Sequence, residues 1–146
     1  MLYNWAGRPD RTADTVRAYL DRYFSARRSG IPGNDDSGAM SSWFLFQSIG
    51  FYPNAGQDLY LIGTPSYPEV DFHLAGGKVL RVMAEGLDRE HLNRYVQSAT
   101  LNGKPLTRSW FRHKEICKGG ELRLRMGAAP SAWGTAEPPP SLSDTP

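Results

Sequence analysis

Apolar positions keep a helical spacing up to about residue 56 and a strand-like one beyond it. Val16, Leu20, Tyr23 and Phe24 recur at intervals of three and four, which predicts one stripe of a helix capped at Asp10 or Thr12 and running to about Arg27. Arg17, Asp21 and Arg22 fall largely on its other face. Ser29-Gly30-Ile31-Pro32-Gly33 stops it, because glycine and proline both break helices. A second helix is expected from Ser37 or Gly38 to Ser48. Met40, Trp43, Phe44, Leu45, Phe46 and Ile49 cover nearly its whole circumference, so it must be buried on most sides. The short segment before it cannot supply that cover, which points to a larger helical body.

Gly50-Phe51-Tyr52-Pro53-Asn54-Ala55-Gly56 reads as a turn and linker. Beyond it come short candidate strands at Asp58–Ile62, Val70–Leu74, Val79–Ala84, Tyr95–Leu101, Ser109–Arg112 and Glu121–Met126. Asn102-Gly103 is a strong hairpin signal. Leu122-Arg123-Leu124-Arg125-Met126 alternates, so it should have one dry and one wet face. The spacing predicts a small antiparallel sandwich. From residue 128 on, Pro130, Pro138-Pro139-Pro140 and Pro146 among serines and threonines predict a disordered or extended tail. The expected organisation is therefore 1–56 helical, 57–127 β and 128–146 flexible.

Charge adds exclusions. Lys and Arg number 17 against 15 Asp and Glu, a net charge of +2, which gives no case for a nucleic-acid partner. Arg27-Arg28 is the one basic doublet and reads as solvated surface. Cys117 is the single cysteine, so no disulfide forms within the chain. No stretch approaches the roughly 20 apolar residues of a membrane span. Met1-Leu2-Tyr3-Asn4-Trp5 lacks the regions of a signal peptide, so either the protein is cytoplasmic or an export signal lies on sequence outside this chain.

The chemistry concentrates in Gly30-Ile31-Pro32-Gly33-Asn34-Asp35-Asp36-Ser37-Gly38, where two adjacent carboxylates precede an apolar helix. Asp36 has two readings on spacing alone: an N-cap bonding a backbone amide, with Ser37 as the alternative cap, or a functional carboxylate kept ionised by the helix N-terminus. Asp35 is either a solvated turn residue or part of the same site. His73, His91 and His113 have no metal-ligand spacing. Cys117 lacks a Cys/His framework, and Ser41-Ser42 lacks a nucleophile elbow. Tyr3 and Trp5 precede the first helix in a loop and can face a cleft or the core.

Several separate stretches, in order, resemble the C-terminal end of glycoside hydrolase family 92, the calcium-dependent exo-α-mannosidases. Leu2-Tyr3-Asn4-Trp5-Ala6-Gly7-Arg8-Pro9 is similar to the family's Tyr-Asn-aromatic-Ala-Gly-x-Pro run, and Gly30 to Asp36 to its Gly-Leu-Pro-Gly-Asn-Asp-Asp loop. Ser41-Ser42-Trp43-Phe44 with Gly50-Phe51-Tyr52-Pro53, Tyr60 to Pro65, and Tyr95 to Lys104 with Ser109-Trp110 continue the likeness. It covers about Leu2 to Gly134. It implies an α+β arrangement: the last helices of an (α/α)6 toroid, a small antiparallel β-sandwich unit and a disordered Pro-rich tail.

The resemblance also implies a chemistry. Inverting glycosidases set two carboxyl groups roughly 6.5–9.5 Å apart on opposite faces of the sugar. Asp35 and Asp36 are neighbours and can supply only one side. The likeness makes Asp36 the general base, with Asp35 positioning the water or a sugar hydroxyl, or helping with the metal. It places the general acid outside this chain, so none of Glu69, Glu85, Glu90, Glu115, Glu121 and Glu137 takes that role. Asn34, Trp5 and Tyr3 become candidate substrate contacts. Asn34 and Asp35 become candidate ligands of a calcium ion that needs six to eight oxygens. The implied partners are an α-mannoside or N-glycan and the remainder of the catalytic domain. Relatives are mostly periplasmic or extracellular. The isolated chain is expected to be inactive. The alternative is a non-catalytic carbohydrate-binding or scaffolding β module.

Overall fold

The computed structural model describes residues 1–144. A 3-10 turn at Leu2–Asn4 leads into α1, Pro9–Tyr23. Pro9 takes the first helical position, where its missing N–H costs nothing. Ala13, Val16 and Leu20 form its buried stripe. Arg17 departs from the expected polar face: it is buried, with its guanidinium donating to Ser66 Oγ (3.0 Å) and pairing with Asp21 (2.6 Å). The helix stops at Tyr23 rather than near Arg27, because Phe24 turns extended and stacks on Trp43 and Phe44.

α2 spans Ala39–Ile49. It ends on Gly50, whose left-handed φ of 107° lets its N–H reach the carbonyls of Phe46 and Gln47. Strand β1, Phe51–Asn54, begins at once. A linker was expected here. Phe51 is instead 1% exposed and sits in the main core, a burial worth about 2 kcal/mol, so pairing starts several residues earlier than the sequence implies.

The remaining strands are β2 Leu59–Ile62, β3 Glu69–Leu74, β4 Lys78–Glu85, β5 Tyr95–Leu101, β6 Lys104–Pro105, β7 Trp110–Arg112 and β8 Gly120–Gly127. One sheet has the order β1-β2-β7 and the other β3-β4-β8-β5-β6. All ladders are antiparallel except β4 with β8. β5 turns into β6 through Asn102-Gly103, both with positive φ, as the hairpin signal requires. On β8, Leu122, Leu124 and Met126 are buried while Arg123 and Arg125 face outward.

Both sheets feed one core. Phe51, Ile62 and Phe111 from the first meet Leu80, Val82, Leu122 and Leu124 from the second, with Ile49 of α2 closing one end. Leu59, Leu61 and Trp110 occupy the other face of the three-stranded sheet, where Met1 and Trp5 cover them.

The Pro-rich segment is extended and anchored, not disordered. Ser131 Oγ donates to Val96 O (2.6 Å), Trp133 Nε1 to Leu106 O (2.7 Å), and Trp110 Nε1 to Glu137 O (3.2 Å). Trp133 also packs on the main core, and a half-buried indole fixes the backbone on either side of it. Pro146 lies outside the described residues.

Candidate functional site

The two helices form a hairpin whose connection carries the carboxylates. The chain leaves α1, and a tight ring closes through Ser25 N–H to Gly30 O (3.0 Å) and Gly30 N–H to Arg27 O (2.9 Å). A Cβ at residue 30 would lie 1.9 Å from the Ser25 carbonyl oxygen, so only glycine allows the loop to fold back. Asp36, Ser37 and Gly38 then adopt left-handed backbone in succession, with φ of 46°, 62° and 96°. Such conformations cost energy for non-glycine residues and persist where the surroundings impose them.

That backbone decides what each carboxylate can do. The helix cap was expected at Asp36 or Ser37. Gly38 holds the cap position, and Asp35 satisfies the helix from outside. Its carboxylate accepts from Ser41 N–H and Ser41 Oγ, both at 2.8 Å, and its carbonyl accepts from Met40 N–H at 3.3 Å. The Ser41 amide, then the Ser41 hydroxyl, holds the Asp35 carboxyl below the usual range. Asp35 is therefore locked as an anion with both oxygens engaged.

Asp36 is the opposite case. It is exposed, and among the described residues its carboxylate has no hydrogen-bond or ion-pair partner. Asn34 is exposed beside it. Asn34 and Asp35 border a cleft of about 600 Å³ whose other wall is Ser25 to Ile31, including Arg27 and Arg28. Tyr19, Tyr23, Pro32, Met40 and Trp43 line a second, apolar cleft of about 520 Å³ across the hairpin.

Tyr3 and Trp5 are not brought to this loop. They precede α1, the loop follows it, and its 15 residues span roughly 22 Å. Tyr3 is half exposed, and Trp5 packs on the Leu59–Leu61–Trp110 cluster. Between them Asn4 is fully buried, donating to Ile62 O (2.9 Å) and Ser109 O (3.1 Å) and accepting from Thr12 Oγ1. This tether escaped the sequence reading, since nothing marks a lone Asn as a buried three-way bond. Thr12 is thus no helix cap. Asp10 does stand in the first turn, where it pairs with Arg8 (2.6 Å).

The histidines stay apart: His73 and His113 are exposed on the β unit, and His113 meets Tyr60 Oη at 3.0 Å. Cys117 is a free thiol. Among the described residues no three His, Cys, Asp or Glu side chains converge as a metal site, and no helix is long and apolar enough to cross a membrane.

Comparison with known proteins agrees across sequence and structure. Residues 1–128 match the glycosyl hydrolase family 92 catalytic domain. An uncharacterized secreted glycosidase of Arthroderma benhamiae is 42% identical over 144 residues, covering 97% of this chain and 19% of the relative. The family GH92 α-mannosidase of Bacteroides thetaiotaomicron, solved with mannoimidazole, superposes with a TM-score of 0.91 at 31% identity, over 97% of this chain and 19% of that one. An inverting mannosidase of the same family and organism gives 0.87 at 35% identity, over 98% and 20%. The chain spans about a fifth of the length of these relatives.

Proposed function

The chain belongs to glycosyl hydrolase family 92, and from that premise we propose that its Gly30–Gly38 loop is the general-base half of a site that removes terminal α-linked mannose with inversion. Asp36 would take a proton from water as its oxygen bonds the anomeric carbon. The bond to the departing oxygen breaks on the opposite face, protonated by an acid outside this chain. The observation that carries the reading is the division of labour in the loop. Asp35 has both oxygens committed to α2, and Asp36 is exposed, unpartnered and held on left-handed backbone.

Asp35 then acts as a positioning residue, fixing the turn that presents Asp36. Asn34 remains the substrate contact the loop can offer, whereas Tyr3 and Trp5 sit at the wrong end of α1 for the same sugar. Asp35 keeps lone pairs beside its two hydrogen bonds, but Asn34, Asp35 and Asp36 together could offer only a minority of six to eight oxygens. Calcium thus belongs to the proposal only with ligands from the remainder of the catalytic domain, and no step here runs through it. The proposal extends to an α-mannoside or N-glycan substrate and a catabolic role, supported by the mannosidase relatives, and to export, supported by the fungal relative's secreted character.

The test places this chain in the Bacteroides mannosidase in exchange for its matching segment. The chimera should hydrolyse an aryl α-mannoside, and the 146-residue chain alone should not. Asp36→Asn in the chimera should lower kcat by about 10²–10⁴. Azide, a nucleophile that needs no deprotonation, should restore turnover to Asp36→Ala and yield the inverted glycosyl azide. An Asp36→Asn chimera within threefold of its parent would refute the assignment.

A further inference from the structure

The loop holds a pair of cations that general-base chemistry does not use. Arg27 and Arg28 are both exposed, and among the described residues neither guanidinium has a partner. Arg8, Arg17, Arg81, Arg108, Arg112 and Arg123 each pair with a carboxylate; among the described residues Arg11, Arg22, Arg89, Arg94 and Arg125 do not, so what sets Arg27 and Arg28 apart is that they are adjacent and border one cleft. Arg27 and Arg28 also share the cleft of about 600 Å³ with Asn34 and Asp35. They are not needed to complement the C-terminus of α1, because Arg22 already stands in its last turn.

Two adjacent arginines bordering one cleft, neither paired with a carboxylate among the described residues, suit an oxyanion with several acceptor atoms. Asp35 does not fill that role, since its carboxylate faces α2 and Ser41. The ring face matters too. A general base works opposite the departing oxygen, so groups beside the base loop meet the terminal sugar and not the aglycone.

We propose that Arg27 and Arg28 recognise an anionic ester, phosphate or sulfate, on the terminal mannose itself. The inference rests on the reading of the Gly30–Gly38 loop as catalytic. It makes the arginines specificity determinants and leaves the proton transfer to Asp36.

The experiment compares 4-nitrophenyl α-mannoside with its 6-phosphate and 6-sulfate esters on the chimera. At low salt kcat/KM should favour an anionic ester by about 10-fold or more, the effect of one good charge-assisted hydrogen bond. The preference should act through KM, shrink with added salt and vanish in the R27Q/R28Q double variant, whose rate on the neutral substrate stays unchanged. Phosphate and sulfate arms identify the ester. A ratio near unity, or one unaltered in R27Q/R28Q, overturns the proposal. Asp36→Asn reports separately on the base, since losing it slows all three substrates alike. Should the chimera not fold, NMR titration of the 146-residue chain decides. Mannose 6-phosphate or 6-sulfate should shift the Arg27 and Arg28 side-chain resonances where mannose does not, and equal responses to all three sugars count against it.

Discussion

Replacing Asn4 by Ala should be among the most damaging single changes in the chain. Asn4 is fully buried and joins three elements through one amide: Ile62 at the end of β2, Ser109 just before β7, and Thr12 on α1. Truncation leaves the Ser109 carbonyl with the Ile62 N–H at 2.9 Å, but it strips Asn4 from the Ile62 carbonyl and the Thr12 hydroxyl. Both Ile62 and Thr12 are 1% exposed, so water cannot substitute. Each abandoned polar group costs about 1–3 kcal/mol, for a total of about 4 kcal/mol. Set against a typical stability of about 5–15 kcal/mol, that is enough to move a urea midpoint far to the left. Urea unfolding followed by far-UV circular dichroism and by tryptophan fluorescence reads it directly. Asn4→Asp should be no better, because a carboxylate would face two carbonyls without a proton to give them. A loss below about 1 kcal/mol for Asn4→Ala, with the slope unchanged, would refute the claim that this amide ties the helices to the sheets.

Three further outcomes are expected. Ser41→Ala removes one of the two bonds to the Asp35 carboxylate, so the Asp35 pKa should rise towards its ordinary value without reaching it, since the Ser41 amide still donates; carbon-detected NMR titration measures this, and an unmoved pKa contradicts the assigned geometry. Burial, then the nearby Arg17 charge, pushes the His91 pKa below its ordinary 6.5. Protonation therefore favours the unfolded chain: stability should fall as pH drops below about 6.5 and level off below His91's own pKa, and His91→Gln should flatten that slope. Trp133→Phe keeps a ring on the core but loses the bond to Leu106 O, and should cost about 1 kcal/mol in chemical unfolding; no change at all would show the Pro-rich segment to be unanchored.

Much of the fold was legible because it follows local rules. The strands around Tyr95, Lys78 and Glu121 alternate visibly, and Asn102-Gly103 dictates its own turn. Phe51–Asn54 was not legible, because a Gly-Phe-Tyr-Pro run looks like punctuation until a second strand pairs with it. Arg17 was misplaced for a related reason: charge pattern says nothing of Ser66, which arrives from 49 residues away to accept its proton. In the Gly30–Gly38 loop, the sequence singles out both carboxylates but does not tell them apart. Asp35 and Asp36 are the same residue type one position apart. The left-handed backbone begins at Asp36, and Asp35 bonds the helix while Asp36 has no partner among the described residues.

The two helices carry a second message about how that loop is held. α2 was expected to be buried on most sides, yet Leu45 is 52% exposed and Phe44 38%, and Tyr19 and Tyr23 on α1 are also open. Only its last turn, Gln47 to Ile49, is buried by the β unit. Soluble proteins rarely leave so much contiguous apolar surface bare, and the relatives have about four fifths of their length elsewhere. Among the described residues nothing covers this face of the helical hairpin. The turn that presents Asp36 hangs on Asp35 and Ser41 at the exposed end of α2, while the opposite end of that helix is anchored against the sheets, so on the proposed reading contacts from the remainder of a catalytic domain would set the position of the carboxylate.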